Sequence, residues 1–326
     1  MSSTKAPEGE LLVGGQALIE GVMMRSPGAF GVAVRRPDGS IAFQRGKVDS
    51  LAKRYPFLKL PLVRGVAVLF QSLAIGIRAL NFSAEEAMAG IDAKTEASAP
   101  EPAQEGKEEK KTSSLAIAGS MAFGLGAGVV FFILLPLWLT HLAERYVFGG
   151  QLSNMGFNLV DGGLRAVFFL GYIFAISRMK DIHRVFQYHG AEHKVVFNYE
   201  KKLPLTVENA RAQSRLHPRC GTSFLLFVMA ISILVFSLVP STAHFLVKFG
   251  ARVVLIPLIA GLAYEVIRFS ARHLANPVCR AMTRPGMWLQ KITTKEPDDQ
   301  QLEIAIVALK EALLFDVVDE KQAAVA

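Results

Sequence analysis

The chain has 326 residues, 51% of them hydrophobic, and a formal net charge of +8. Its mean hydropathy of +0.33 is too high for an ordinary soluble protein, and the apolar residues sit in blocks. Two cysteines, Cys220 and Cys279, are too few for a disulfide framework, and the basic excess is assigned to loops flanking membrane helices rather than to nucleic acid.

In chain order, Met1 to Gly15 is polar and lacks the basic start and short apolar core of a secretory signal, so a later apolar segment is expected to do the targeting. Residues 1–55 read as a small cytoplasmic domain. Ala29 to Val34 and Ser40 to Gln44 read as strands, and Arg36-Pro37-Asp38-Gly39 between them is a turn, which predicts a β-hairpin. The preceding stretch, Gly14 to Pro27, has no clean period. Within 56–81, the run between Arg64 and Arg78 is apolar except for Gln71 and Ser72. It is shorter than the roughly 20 residues of a spanning helix, so an interfacial or re-entrant helix is expected. Residues 82–114, rich in Ala, Glu, Lys and Pro, read as a disordered linker.

Residues 115–268 read as a four-helix membrane domain. The spans are placed at Leu115 to Thr140, Leu159 to Ser177, Ser223 to Val247 and Gly250 to Arg268, with a cytoplasmic loop at 179–222. Gly124, Gly126 and Gly128 suit close helix packing in the first. Asp161 and Arg165 mark the outer end of the second, Glu265 and Arg268 close the fourth, and the arginines are expected to snorkel. Lysine and arginine crowd loop 179–222 and the region after 268, whereas the loops near 141–158 and 239–249 hold only Arg145 and Lys248. The positive-inside rule then puts both termini and the central loop on the cytoplasmic side. Residues 269–326 read as a cytoplasmic C-terminal segment with an amphipathic helix. Asp298 and Gln301 form a capping pair at its start, and Leu302, Ile306, Leu309 and Leu313 share one face. That face is expected to dock on the cytoplasmic domain. The fold class expected is thus an α-helical integral membrane protein of about four transmembrane helices plus a re-entrant or interfacial helix, with a small cytoplasmic α+β part.

The sharpest chemical signal is His189-Gly190-Ala191-Glu192-His193. On a helix, positions four apart stack on one face, so two imidazoles can hold one divalent metal while Glu192 serves as general base. Zinc would need a third protein ligand and would keep one position open. A second cluster, His217-Pro218-Arg219-Cys220-Gly221-Thr222, offers His217 and Cys220 as soft or borderline donors. Glu265, at the membrane edge, is a candidate remote ligand, set against a plain ion pair with Arg268, Arg272 or Lys194. Glu20, alone in an apolar stretch, is a further candidate for the same site, set against a pair with Arg25. Such patterns also arise by chance, and a structural histidine or thiol is the ordinary alternative for each.

Three strings, GGQALIEGVMMR at 14–25, FQYHGAEHKVVFNYE at 186–200 and HPRCGTSF at 217–224, with PGMWLQKITTKEPDDQQLEIAIVAL at 285–309, resemble the YqhQ family of bacterial multi-pass membrane proteins. The resemblance covers nearly all of the chain except 82–114. That family is of unknown function and is described as a predicted metal-dependent enzyme, a description resting on the same His-Glu-His pattern. Three functions stay open: a metal-dependent hydrolase at the cytoplasmic membrane face, a non-catalytic scaffold or assembly factor with a cytoplasmic protein partner, and a small transporter or channel.

Overall fold

A computed structural model describes residues 13–48, 55–96, 119–240 except 121, and 243–323 except 274. The described residues fall into two compact units, one within Met1–Thr95, Phe174–Leu226 and Ala260–Ala326, the other within Glu96–Ile173 and Phe227–Ile259.

The first unit is built on a four-stranded antiparallel sheet in the order β1 (Gly14–Leu18), β2 (Gly21–Arg25), β3 (Ala29–Arg35) and β4 (Ile41–Lys47). The expected hairpin is β3–β4, turning through Gly39 at φ 89°. A second hairpin, β1–β2, occupies the stretch without a period and turns at Ile19-Glu20, with Glu20 at φ 52°. The alternation is hidden because both faces of the sheet are covered: Val22, Met23 and Met24 are all buried. Val22, Met24 and Ala33 point to one core, and Leu18, Met23, Phe30, Val32 and Val34 to the other.

The first core is closed by the C-terminal helix, α10 (Asp299–Ala323), and by α4 (Lys180–Glu200). The capping pair is reciprocal: Gln301 N–H donates to Asp298 Oδ1 at 2.8 Å, and Asp298 N–H to Gln301 Oε1 at 3.0 Å. Leu302, Ile306 and Leu309 are buried as expected, and so are Ile304, Ala305, Ala308 and Ala312, because the helix lies between the sheet and α4. Arg35 pairs with Glu303 and Arg45 with Glu311 along this contact.

The second core is closed by α1 (Val63–Glu96), where Ile75, Ala79 and Phe82 pack on the sheet and Ser83 Oγ donates to the Ile19 carbonyl at 2.5 Å. Helix α1 differs from the sequence expectation. It is long and apolar enough over Val63–Ala87 to cross a membrane, and it continues through 82–96, where a linker was expected. Alanine, glutamate and lysine extend a helix well even where they bury little. The remainder of that linker, 97–114, lies outside the described residues.

Two further helices pass the same test of length and composition, Ala122–Tyr146 (α2) and Asn154–Ile176 (α3). Where the third span was expected, α6 (Gly221–Phe236) is apolar but short; α5 (Val207–Arg211) precedes it. The fourth is a pair, α7 (Phe245–Val254) and α8 (Ile256–Arg272), bent by 45° just before Pro257. Arg165 does not snorkel: its side chain is 13% exposed and sits 3.1 Å from Asp161. A final helix, α9 (Pro277–Thr293), leads into α10, and both cysteines are free thiols.

Gly31 on β3 faces α10 so closely that a Cβ would stand 2.7 Å from the Ala312 nitrogen and overlap the Ala308 carbonyl. Gly31→Val should therefore lower stability by about 1–3 kcal/mol or more, as overpacking against main chain does. A thermal melt of the purified full chain checks this; an unchanged midpoint would mean that α10 does not sit on β3.

Candidate metal centre

Helix α4 carries His189, Glu192 and His193 on the face it turns inward. His189 Nδ1 donates to the Thr293 carbonyl at 2.8 Å, and His193 Nδ1 to the Arg215 carbonyl at 2.5 Å. With Nδ1 protonated, each ring presents the lone pair of Nε2. One ring nitrogen of each histidine and Cys220 Sγ lie within 4.8 Å of one another. His189 Nε2 is 3.2 Å from Cys220 Sγ, and the ring centroids of His189 and His193 are 4.5 Å apart. Donors around tetrahedral zinc stand about 3.5 Å apart, given bonds of about 2.1 Å to nitrogen and 2.3 Å to sulfur. Closing the cluster onto such an ion needs only small side-chain shifts.

A stronger test of fit is the state of His193 Nε2. It is buried and has no hydrogen-bond partner among the described residues. A buried unpartnered nitrogen is costly. Here it points at two further soft or borderline donors, so the residues present suit a divalent ion of the zinc class.

Glu192 lies inside the same cluster. Its Oε2 is 3.6 Å from His193 Nε2 and 4.0 Å from His189 Nε2. Burial pushes its carboxyl above the usual range, opposed by His189, His217 and the Gly15 N–H that donates to it. Gly15, on edge strand β1, is a site residue the sequence reading missed. A Cβ there would stand 2.7 Å from Glu192 Cγ and 2.6 Å from the Met23 carbonyl oxygen. Its only sequence signal was the Gly-Gly pair opening the GGQALIEGVMMR string.

The chain leading into α10 holds this arrangement from the other side. Lys295 N–H donates to the Phe186 carbonyl at 2.8 Å, Arg215 Nη1 to Thr294 Oγ1 at 2.9 Å, and Lys194 pairs with Glu296. A Cβ on Gly190 would fall on the Lys295 carbonyl oxygen, so α4 and this segment touch backbone to backbone.

Two expected ligands stand elsewhere. His217 Nδ1 accepts the Arg219 N–H at 3.3 Å, leaving Nε2 to donate to Glu200 at 3.3 Å. Its ring stacks near Phe197 at 4.3 Å, and its main chain is clamped by Gln290, which both accepts from its N–H and donates to its carbonyl at 2.8 Å. It supports the HPRC turn and presents no lone pair to the cluster. Glu265 accepts from Arg64 Nε at 2.6 Å in a two-pronged pair, a partner absent from the three cations considered for it. Glu20 likewise turns away from the cluster, accepting from Arg184 Nε at 2.6 Å and Tyr188 OH at 3.3 Å.

Fold and site together define a largely helical protein with long apolar helices and an α+β unit bearing a metal-type donor cluster. The chain belongs to the family described as Protein of unknown function (DUF1385), which matches residues 60–314. It is 38% identical over 327 residues to Uncharacterized protein YqhQ of Bacillus subtilis (strain 168), covering 98% of this chain and 97% of that protein. No solved structure matches significantly.

Burial holds the imidazoles of His193 and His217 below their usual range. In metal-free protein their contribution to stability is therefore present above about pH 6.5, the unfolded value, and is lost as pH falls through the lower folded values. Glu192, raised by burial, acts oppositely: its contribution is present at acid pH and lost as pH rises through its raised folded value. Urea melts of chelator-treated protein should show stability falling between pH 7.5 and 5.5, with a smaller fall in His217→Gln. Equal falls in wild type and His217→Gln would mean that the His217 imidazole is not buried neutral.

Proposed function

We propose that the chain is a multi-pass protein of the inner membrane whose α+β unit carries a divalent-metal-dependent hydrolase centre at the cytoplasmic face. The observation that carries this reading is the convergence of His189 Nε2, Cys220 Sγ and the unpartnered His193 Nε2 beside a buried carboxylate. His189, His193 and Cys220 are the metal ligands, and zinc suits a donor set of two imidazoles and one thiolate. Three protein ligands leave one position open, the pattern of catalytic rather than structural zinc.

A metal bound there supplies Lewis acidity to the electrophile and acidity to water. Glu192 takes the proton of the attacking water on its carboxylate and returns it to the leaving group. Its burial suits both halves of that role, because a carboxyl raised above its usual range holds a proton nearer neutrality. Thr293 and Arg215 carbonyls keep both imidazoles aimed. The substrate class is a membrane-associated peptide or lipid.

The membrane reading is supported by three helices long and apolar enough to cross, or four if the bent α7–α8 pair is one span. The packing of α1 favours leaving it out of the spanning set, which leaves α2, α3 and the bent α7–α8 pair, with the shorter apolar α6 as the fourth crossing. Ile75 and Ala79 are buried in the sheet core, and Arg25 of β2 donates to Ser72 Oγ at 2.8 Å. A helix committed along that length to a polar-edged sheet lies beside the bilayer core, and the basic N-terminal unit then stays cytoplasmic.

Metal analysis by mass spectrometry on detergent-purified protein tests the reading. About one zinc, iron or manganese per chain is expected in the wild type, lost in His189→Ala/His193→Ala and in Cys220→Ala. His217→Ala and Glu265→Gln should keep the metal. Glu192→Gln should keep it too while losing roughly 10²–10⁴-fold of any hydrolytic turnover. A folded, metal-supplied wild type without bound metal would overturn the proposal in favour of a scaffold, for which Glu192→Gln is silent.

A further inference from the structure

The apolar unit holds a second cluster of buried charge, unrelated to the metal centre. Helix α2 contributes His141 and Glu144, α3 contributes Asn158, Asp161 and Arg165, and α7 contributes Lys248 and Arg252. Lys248 and Asp161 are each 2% exposed and Arg252 is 1% exposed. Arg252 Nη2 donates to Asp161 Oδ2 at 2.8 Å, and Arg165 Nη2 stands 3.1 Å from the same oxygen. Both guanidinium groups lie against the Phe236 ring, at 5.0 and 5.4 Å. Lys248 Nζ is 3.4 Å from His141 Nε2 and 3.9 Å from the centre of the Phe157 ring, with no carboxylate in ion-pair range among the described residues.

Two features say that this cluster is incomplete. Three fixed cations, Arg165, Lys248 and Arg252, face two carboxylates, and one of these, Glu144, is 3.7 Å from His141 rather than paired with a cation. An uncompensated charge among apolar helices is expensive and marks a functional site by default. In addition, Arg165 Nε, Arg252 Nε and Asp161 Oδ1 are buried with no hydrogen-bond partner among the described residues, and Arg165 Nη2 has only its ion-pair contact with Asp161 Oδ2. Two of the unpartnered atoms are donors and one is an acceptor. Their complement is a group that accepts several hydrogen bonds, donates one, and carries negative charge. A cleft of about 440 Å³, lined by Trp138, His141, Glu144 and Arg145 among others, touches the cluster at His141 and Glu144; Asp161, Arg165, Lys248 and Arg252 are not among the residues that line it, so an anion would reach them past His141.

We propose that Arg165, Lys248 and Arg252 bind one protonated phosphate group, a free hydrogen phosphate or a phosphomonoester head group, with Asp161 Oδ1 accepting its P–OH. The guanidinium N–H groups and the Lys248 ammonium donate to its remaining oxygens, as charge-assisted hydrogen bonds to phosphate do. Asp161 makes the site selective. At neutral pH sulfate and phosphodiesters have no proton to give, so their oxygens would meet the carboxylate oxygen in repulsion, a rejection by unpaired polar groups.

The test uses the full chain in neutral detergent. Equilibrium dialysis compares labelled inorganic phosphate with labelled sulfate, and native mass spectrometry compares added phosphatidic acid with phosphatidylglycerol. One phosphate or one phosphatidic acid per chain is expected, retained at least about tenfold over sulfate or phosphatidylglycerol. Binding of phosphatidic acid alone assigns the site to a lipid head group, and binding of both anions assigns it to the phosphate group itself. Lys248→Met should lower retention about tenfold while Lys248→Arg keeps it, and Asp161→Asn should bring the phosphate-to-sulfate ratio towards one. A wild type that retains neither anion, or retains phosphate and sulfate equally, overturns the proposal and leaves the cluster to bound water. Those wild-type ratios decide the matter even if a variant fails to fold.

Discussion

Two main-chain carbonyls decide what the candidate centre can be. An imidazole can offer either ring nitrogen, and the choice is made by whichever atom already has a partner. Thr293 and Arg215 each accept from an Nδ1, so both histidines of α4 present Nε2 to the same point. Neither carbonyl lies near α4 in sequence; they belong to the C-terminal end of α9 and to the loop before the HPRC turn. The ion pairs and hydrogen bonds of Lys194, Arg215 and Lys295 keep those segments where they are, and thereby keep the rings aimed.

That arrangement rests on close backbone approach. Gly190 lets α4 touch the segment before α10, Gly15 lets β1 reach Glu192, and Gly31 lets β3 meet α10. At each place a methyl group would collide with main chain or with the Glu192 side chain. The sheet can then be buried on both faces, by α1 on one and by α10 with α4 on the other, and the helix bearing the His-Glu-His cluster sits on a rigid layer instead of a loop.

The two units bury charge in different ways. In the α+β unit most ion pairs are at least partly exposed and tie segments together, as Arg184 with Glu20 and Arg211 with Asp299 do. Such pairs are individually weak. In the apolar unit, Asp161, Lys248 and Arg252 are removed from solvent almost completely, and their number does not balance. Desolvation makes that imbalance costly, which is why it points to a ligand rather than to stability.

Much of the local structure was legible in the sequence. The Pro37-Asp38-Gly39 turn, the Asp298–Gln301 cap, the buried face of the last helix, the helical His-x-x-Glu-His stack and the family itself all depend on residues close together in the chain or on long matching strings. The β1–β2 hairpin was not legible, because burial on both faces erases the alternation that announces a strand. Nor was the third member of the donor cluster. Cys220, His217 and Glu265 were equal candidates by residue type, and only the fold put Cys220 Sγ 3.2 Å from His189, turned His217 to Glu200, and gave Glu265 to Arg64, 201 positions away. Sequence determined which chemical groups the protein has and which short segments are helix or turn. Tertiary structure decided which groups meet, because the direction of a lone pair is set by partners that local sequence does not contain.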